Sequence, residues 1–396
     1  MMTDATFFTR IAPPMTPILV VRRAALLANL AAMQAACDAR SVALRAHGKM
    51  HKTPALGALQ VAHGAVGLCC QTVSEAAAFA AAGLHDLLVT APVAAWGVPR
   101  LAALAADGHA IGLVADDAAQ IARAGAAAVA AGTVLRLVVD VDLGLHRTGV
   151  APEEVAALAT LAAATPGLRY GGIQAYLGHL QHLADRDARA AKVATAMNRL
   201  TALVDELTAK GLAPPVVTGG GTGTFVHDLD AGVFTELQCG SYALMDVEYG
   251  DCGAPGGGDW PFVPALFVAA TVVSARHKTH VTCDAGLKAL SSDGPQACVV
   301  AGAAAGSLWR AMGDEHGAVV HPAFLGQMRD DPAGAVDRID ADPAVAMPGD
   351  APRAGDIVWL QPGHCDPTIN LHDALWVADE DGSLERWPVT ARRTTA

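Results

Sequence analysis

Residues 111–142, IGLVADDAAQIARAGAAAVAAGTVLRLVVDVD, hold the unit on which the fold turns. The apolar run at 111–115 reads as a buried strand, the alanine-rich stretch 116–131 as a helix, and 135–142 as the next strand. Strand, covering helix and strand within about thirty residues is the building block of a parallel sheet. The same reading extends outward in both directions. Strands are predicted at 42–46, 66–70, 87–90, 111–115, 135–142, 170–176, 215–218 and 236–241, with helical patterns between them, among them 74–82, 151–164 and 186–210. Pro and Gly punctuate the joins, as at Thr165-Pro166-Gly167 and Ala213-Pro214-Pro215. Eight alternations predict an α/β fold built as a closed (β/α)8 TIM-type barrel. A doubly wound open sheet is the alternative, because periodicity does not report closure.

The character of the chain changes near residue 256. After the loop GAPGGGDW (253–260), strand-like stretches at 264–275, 279–284, 297–301, 356–360 and 373–378 replace the helical periods. The expectation is a barrel domain over 22–265 and a mainly β domain over 266–396, joined by residues 1–21 through a strand at PILVV (17–21). Residues 342–356, rich in Pro, Gly, Asp and Ala, read as an exposed connection.

Composition excludes several classes of function. A formal net charge of -12 argues against nucleic acid, which needs clustered Lys and Arg. Apolar runs are broken before the roughly 18 residues that a membrane span requires. The N-terminal MMTDATFFTR lacks the apolar core of a signal peptide, and the eight scattered cysteines form no CxxC pair. The expectation is a cytoplasmic protein, kept reduced, that acts on a small molecule.

In such a barrel, chemistry gathers on the loops that follow the strands. After the first strand comes Arg45-Ala46-His47-Gly48-Lys49-Met50-His51-Lys52. A lysine crowded there by cations would have a lowered pKa and would suit Schiff-base chemistry; a solvated basic turn reads the same way. After the fifth comes Asp140-Val141-Asp142, ahead of His146-Arg147, where acidic groups would fix the guanidinium or form a plain salt bridge. After the sixth, Tyr176 leads to His179 and His182. After the seventh, Thr218-Gly219-Gly220-Gly221-Thr222-Gly223-Thr224 exposes backbone N–H groups and hydroxyls that suit a phosphate, and Gly240-Ser241-Tyr242 after the eighth is a similar set. In the β domain, His364-Cys365-Asp366 read as extended chain puts imidazole and carboxylate on one side and the thiol on the other. Such a pair can hold a divalent ion and leave positions for water and substrate. Asp314-Glu315-His316-Gly317 is a second metal-capable cluster, or a polar turn.

Taken together, RAHGKMHK (45–52), GLCCQTVSEAAAFAAAG (67–83), GIQAY (172–176) with Gln181-His182, GGGTGT (219–224), ELQCGSYALMD (236–246), DAGLK (284–288), DEHG (314–317) and PGHCDPTINLHD (362–373) run in one order across most of 40–375. The set resembles the D-threonine aldolase and D-3-hydroxyaspartate aldolase family, relatives of the D-serine dehydratases. HGKMHK and the Cys-Gly-Ser-Tyr motif look closer to the hydroxyaspartate aldolases. The resemblance implies an alanine-racemase-like barrel with a β domain, pyridoxal 5'-phosphate in Schiff-base linkage to Lys49, and Arg147 on the cofactor's phenolic oxygen. It further implies that Gln71, Tyr176, Gly220, Gly221, Thr222, Ser241 and Tyr242 line the cofactor, that His364 and Asp366 bind a divalent metal, and that His182 lies near the metal-bound water. Dehydratase relatives typically place Cys where this chain has Asp366; a carboxylate suits manganese or magnesium better than zinc. The expected reaction is retro-aldol cleavage of D-3-hydroxy-amino acids to glycine and an aldehyde, with His182 or a metal-bound hydroxide as base. The alternatives are a dehydratase releasing ammonia and a 2-oxo acid, a racemase, and a catalytically silent cofactor-binding protein. The resemblance also implies a homodimer.

Overall fold

The computed structural model describes residues 5–393, so residues 1–4 of the expected N-terminal segment and 394–396 of the C-terminal one lie outside it. The described chain divides into two compact units, one of residues 30–242, 251–261 and 390–393, the other of 5–29, 243–250 and 262–389.

In chain order the first strand, β1 (Ile18–Arg22), belongs to the second of these units. The next eight form a closed parallel barrel: β2 (Ala43–His47), β3 (Gly67–Cys70), β4 (Asp86–Val89), β5 (Ala110–Ala115), β6 (Leu135–Val141), β7 (Leu168–Ala175), β8 (Val217–Gly219) and β9 (Glu236–Leu237). Closure is carried by β9 on β2, where Ala43 pairs with Glu236 and Leu44 with Leu237. That pairing excludes the open doubly wound sheet. The eight strands and the helices Val73–Ala81, Ala118–Ala130, Pro152–Ala164 and Arg186–Ala209 fall where the apolar pattern places them. The last strand is shorter than the 236–241 expected, because the chain leaves the ladder at Gln238 and enters a 3-10 turn at Ser241–Ala243.

The strands are buried on both faces, as parallel strands covered by helices must be. Alanine makes the covering helices thin. Ala118–Ala130 buries Ile121, Ala124, Gly125 and Ala128, one stripe of a 3.6-residue period. A Cβ on Gly125 would lie 2.4 Å from Thr165 Cγ2 and 2.8 Å from the Pro166 carbonyl, so glycine is what permits the contact. Asp117 caps this helix by accepting from the Gln120 N–H.

The other unit is a nine-stranded sheet in the order β11 (His280–Cys283), β14 (Gly317–Val320), β13 (Leu308–Ala311), β12 (Cys298–Ala301), β15 (Ile357–Gln361), β10 (Leu266–Ser274), β1, β16 (Ala374–Ala378) and β17 (Leu384–Pro388). It curls until β11 also pairs with β10. The N-terminal strand is inserted antiparallel to β10 and parallel to β16. Phe8 packs edge-on to Phe267 at 5.0 Å between centroids and 5.0 Å from Trp359, which anchors the N-terminal segment on this sheet. Three of its strands, β13, β14 and β17, carry no alternating signal in the sequence. The helix Pro332–Ala341 is a further departure from the expectation that helical periods largely stop after residue 256; it packs Ala335 and Ile339 against Phe324 and Met328. Among the described residues no helix is long and apolar enough to cross a membrane.

Candidate active site

Chemistry-bearing residues concentrate at the C-terminal ends of the barrel strands. Strand β2 delivers His47 into a 3-10 turn, Gly48–Met50, that carries Lys49, half-buried. His47 Nδ1 accepts the Lys49 backbone N–H at 3.4 Å, and its Nε2 is hydrogen-bonded to Thr90 Oγ1 at 3.0 Å. These two bonds assign the neutral tautomer with the proton on Nε2. The turn is seated tightly, since a Cβ on Gly48 would meet Phe79 Cε2 at 2.6 Å.

The neighbouring lysine has another task. Lys52 sits at φ +50 and its ammonium binds Glu75, a carboxylate with no exposed surface. Glu75 is the N3 residue of the helix Val73–Ala81, where its Oε2 accepts the Gln71 and Thr72 N–H groups in a capping box. His51 is likewise committed, to Gln60 at 3.1 Å and to the Thr53 N–H at 3.0 Å. The four basic side chains of this loop therefore do not act as one unopposed cationic crowd. One is a turn cap, one is packed in the core, one neutralises a buried carboxylate, and Lys49 stands at the end of the strand.

Below this loop runs a buried polar layer. Thr90 Oγ1 lies 3.1 Å from the Cys70 carbonyl and 3.3 Å from Gln71 Oε1. Gln174 donates to the Thr90 carbonyl at 3.0 Å and to Asp140 at 2.9 Å, and accepts from Gln238 at 3.1 Å. Burial pushes the Asp140 carboxyl up, against the hydrogen bonds that Thr148 and Gln174 donate to it. Each group in this layer is paired, which is what a buried polar network needs if it is to stiffen a site.

The acidic residues ahead of Arg147 do not grip the guanidinium. Asp142 folds its own loop by accepting from the N–H groups of Gly144 and His146 and from His146 Nδ1. Partial burial would raise its carboxyl pKa, but those donors hold it below the ordinary value. Arg147 is exposed, and its Cζ stands 5.5 Å from the centroid of the Tyr176 ring. A cation–π contact thus takes the place of the expected charge network. His179 lies on the 3-10 turn Gly178–Leu180; burial and the Lys192 charge lower its pKa, with Asp142 opposing. His182 is half-buried, and its carbonyl accepts the Cys252 thiol at 3.2 Å.

The glycine loop follows β8. Thr222 is buried and its hydroxyl oxygen accepts the Tyr242 N–H at 3.0 Å, which joins the loop to the turn carrying Ser241. The Tyr242 phenol itself is fully packed and accepts from Gln60 at 3.3 Å, with burial driving its pKa far up. Gln181 Oε1 accepts the Gly223 N–H at 2.9 Å, and Asp228 accepts from the Gly221 N–H and the Thr224 hydroxyl. The amine of Lys49, the hydroxyls of Thr222 and Ser241 and the glycine-rich backbone make a donor set that fits a phosphorylated aldehyde.

The second cluster lies at the end of β15. Gly363 is required there because a Cβ would fall 1.7 Å from the Pro295 carbonyl. His364-Cys365-Asp366 is not extended throughout, as the sequence reading expected: His364 keeps extended backbone angles at the N-cap position of a short helix, Cys365–Ile369, and Asp366 lies in its first turn. Both side chains still reach one place, with His364 Nε2 and Asp366 Oδ1 3.9 Å apart. His364 Nδ1 donates to Asp293 Oδ2 at 3.1 Å, with Glu248 Oε2 at 3.8 Å, so the Nε2 lone pair falls on the Asp366 side. His364 and Asp366 would hold a divalent cation through imidazole and carboxylate. Among the described residues no group of three or more His, Cys, Asp or Glu side chains is arranged to hold a metal ion, although Asp293, Glu248 and Asp366 all lie within 4 Å of the His364 ring nitrogens. Cys365 is fully buried; burial and the Asp246 and Asp366 carboxylates keep its thiol pKa far up. The Asp314-Glu315-His316 cluster forms the hairpin turn between β13 and β14, where Lys288 pairs with Glu315 at 2.6 Å and Asp314 at 3.6 Å in the open.

Sequence reasoning gave no individual role to Glu75, Thr90, Gln174, Gln181, Asp228, Gln238, Glu248 and Asp293. The capping-box spacing Thr72-x-x-Glu75 was the one legible signal among them; Asp228 bonds the nearby Thr224 and Gly221, and the others depend on contacts farther apart in the chain.

The pattern for the alanine racemase N-terminal domain matches residues 21–247, and that for a putative serine dehydratase domain matches 265–378. The chain is 38% identical over 386 residues to a 3-hydroxy-D-aspartate aldolase of Paracoccus denitrificans (strain Pd 1222), covering 95% of this chain and 92% of that one. It is 39% identical over 383 residues to a D-threonine aldolase of an Arthrobacter species, with the same coverage of 95% and 92%. The crystal structure of D-threonine aldolase from Filomicrobium marinum superposes with a TM-score of 0.85 at 34% identity, over 96% of each chain.

Proposed function

The chain belongs to the D-threonine aldolase and 3-hydroxy-D-aspartate aldolase family, a family of aldehyde-lyases, and from that premise we propose that it cleaves D-3-hydroxy-amino acids to glycine and an aldehyde with pyridoxal phosphate and a divalent metal. When bound, the cofactor supplies an electron sink for the pair released as the Cα–Cβ bond breaks, and the cation supplies a Lewis acid for the β-hydroxyl. Lys49 attaches the cofactor. The support for choosing it over Lys52 is that Lys52 is spent on Glu75. Arg147, held over the Tyr176 ring, stands for the phenolic oxygen, with Gln71 beside it in the lining. Gly220, Gly221, Thr222, Ser241 and the backbone of Tyr242 receive the phosphate. His182 takes the β-hydroxyl proton, the carbonyl of the aldehyde forms, and a proton returned to Cα completes glycine.

The observation that carries the aldolase over the dehydratase reading is the donor pair itself. His364 Nε2 faces a carboxylate at 3.9 Å, and the neighbouring thiol of Cys365 is buried. Imidazole plus carboxylate suits manganese or magnesium, whereas a zinc site would favour a thiolate. The eight cysteines are all free thiols, which supports a reducing, cytoplasmic setting, and the family resemblance supports a homodimer.

The test is to incubate the purified protein with pyridoxal phosphate, manganese and either D-threonine or D-3-hydroxyaspartate, then to assay aldehyde, glycine and ammonia. Glycine with an aldehyde is the expected result and ranks the two substrates. Ammonia with a 2-oxo acid would overturn the reading in favour of the dehydratase.

A further inference from the structure

The loop Gly219–Thr224 is gripped from behind by two buried side chains, Gln181 and Asp228, to which the sequence reading gave no role. Gln181, 1% exposed, accepts the Gly223 N–H at 2.9 Å and donates to Thr224 Oγ1 at 2.9 Å and to the Leu177 carbonyl at 3.3 Å. Asp228, with no exposed surface, accepts the Thr224 hydroxyl at 2.6 Å and the Gly221 N–H at 3.3 Å, both on Oδ2. Its Oδ1 is buried without a hydrogen-bond partner. The glycines answer to these two clamps. A Cβ on Gly220 would lie 2.7 Å from Asp228 Oδ2, one on Gly221 2.4 Å from Gln181 Oε1, and one on Gly223 1.9 Å from the Gln181 carbonyl. Gly220 also sits at φ +71, in the left-handed region. The run of glycines is therefore demanded by the protein behind the loop, whatever ligand lies in front of it.

We propose that Asp228 and Gln181 are positioning residues for the phosphate of the cofactor: they hold the Gly219–Thr224 backbone in the single shape that presents donors to an anion, so that the loop need not be ordered at the moment of binding. This rests on the pyridoxal-phosphate reading above. A flexible glycine loop loses more conformational freedom on ordering than any other, and preorganisation removes that cost from the affinity. Charge is consistent with the role. An ionised carboxylate with one unpaired oxygen, placed behind a loop that binds a phosphate, would be penalised by burial and by repulsion. Burial raises the Asp228 pKa to about 7, against the bonds from Thr224 and Gly221, so burial shifts the clamp towards its uncharged form.

The experiment titrates the full chain, freed of cofactor, with pyridoxal phosphate and separately with pyridoxal, which lacks the phosphate. Asp228→Ala is compared with Asp228→Asn, whose amide oxygen can accept the same two bonds, and with Thr224→Val, which deletes only the hydroxyl. Asp228→Ala and Thr224→Val should weaken pyridoxal phosphate about 10- to 100-fold and pyridoxal less than about threefold, with Asp228→Asn close to the wild type. Equal loss of both ligands, unchanged phosphate-ester affinity, or an Asn variant as weak as Ala would overturn the clamp. Should Asp228→Ala fail to fold, Thr224→Val carries the same contrast. Failure of the wild type to take up either ligand would instead defeat the cofactor reading on which the clamp depends; uptake by the wild type with indifferent variants defeats the clamp alone.

Discussion

The mouth of the barrel and the His364 cluster are both built on loops that follow strands, yet they are held in opposite ways. Around Lys49, the supporting groups are buried and paired: Glu75 with Lys52, His47 with Thr90, Gln174 with Asp140 and Gln238. Around His364 the groups are more exposed: the imidazole lies 3.1 Å from Asp293, a side chain 73% exposed, and 3.8 Å from Glu248, and the Asp366 carboxylate stands 3.9 Å away. On the proposed function, the difference follows from what each place would hold. A planar cofactor bound at several points gains from a rigid, preformed lining. A catalytic cation needs few protein ligands and positions left open for water and substrate.

The comparison can be broken at its strongest point by Lys49→Ala. Covalent attachment of the cofactor, read from the absorbance of the protein-bound aldehyde, should be lost, and cleavage should fall roughly 10⁴-fold. A variant that keeps both would remove Lys49 from the site. Glu75→Ala strikes the support and spares the reactive groups. It strands the Lys52 charge and undoes a helix cap, so urea unfolding should show about 3 kcal/mol of lost stability. A loss below about 1 kcal/mol would mean that the pair is surface-like despite its burial. At the open cluster, His364→Ala should strip the bound metal, measured by elemental analysis after dialysis, and lower cleavage on the order of 100-fold, with cofactor absorbance and unfolding stability nearly unchanged. Should stability collapse there, the two regions would not differ as described. The smallest effect is expected from Asp366→Cys. A soft thiolate in place of the carboxylate should move the preference from manganese towards zinc by about tenfold in relative affinity. Unaltered selectivity would show that Asp366 is not a ligand.

Much of the barrel was legible because its signal is local. Buried strands of apolar residues separated by alanine-rich helices, as in 111–142, announce their own identity within a few residues of their bounds. The β sheet was harder to read. Strands such as Leu308–Ala311 and Gly317–Val320 are four residues long, too short for a period of two to stand out, and Leu384–Pro388 carries Glu385 and Arg386 on an edge strand. The site shows the same division. Lys49, the glycine loop and the His364/Asp366 pair were picked out by residue type and by position after a strand. Their environment was misjudged wherever it depended on distant partners: the Asp140/Asp142 acids serve Thr148, Gln174 and the His146 loop, leaving Arg147 to Tyr176.

The sequence by itself determined the alternation of strand and helix, the shift to β structure past residue 256, and the membership in an aldolase family, because propensity, periodicity and motif order are properties of neighbouring residues. Tertiary structure alone decided that the sheet closes through β9 on β2, that an N-terminal strand is inserted between β10 and β16, that Lys52 is spent on Glu75, and that Gln181 and Asp228 stand behind the glycine loop. Most of these are matters of register and charge pairing between residues tens to hundreds of positions apart, where burial makes an unmet hydrogen bond or charge costly and so selects one partner among the many that the sequence allows.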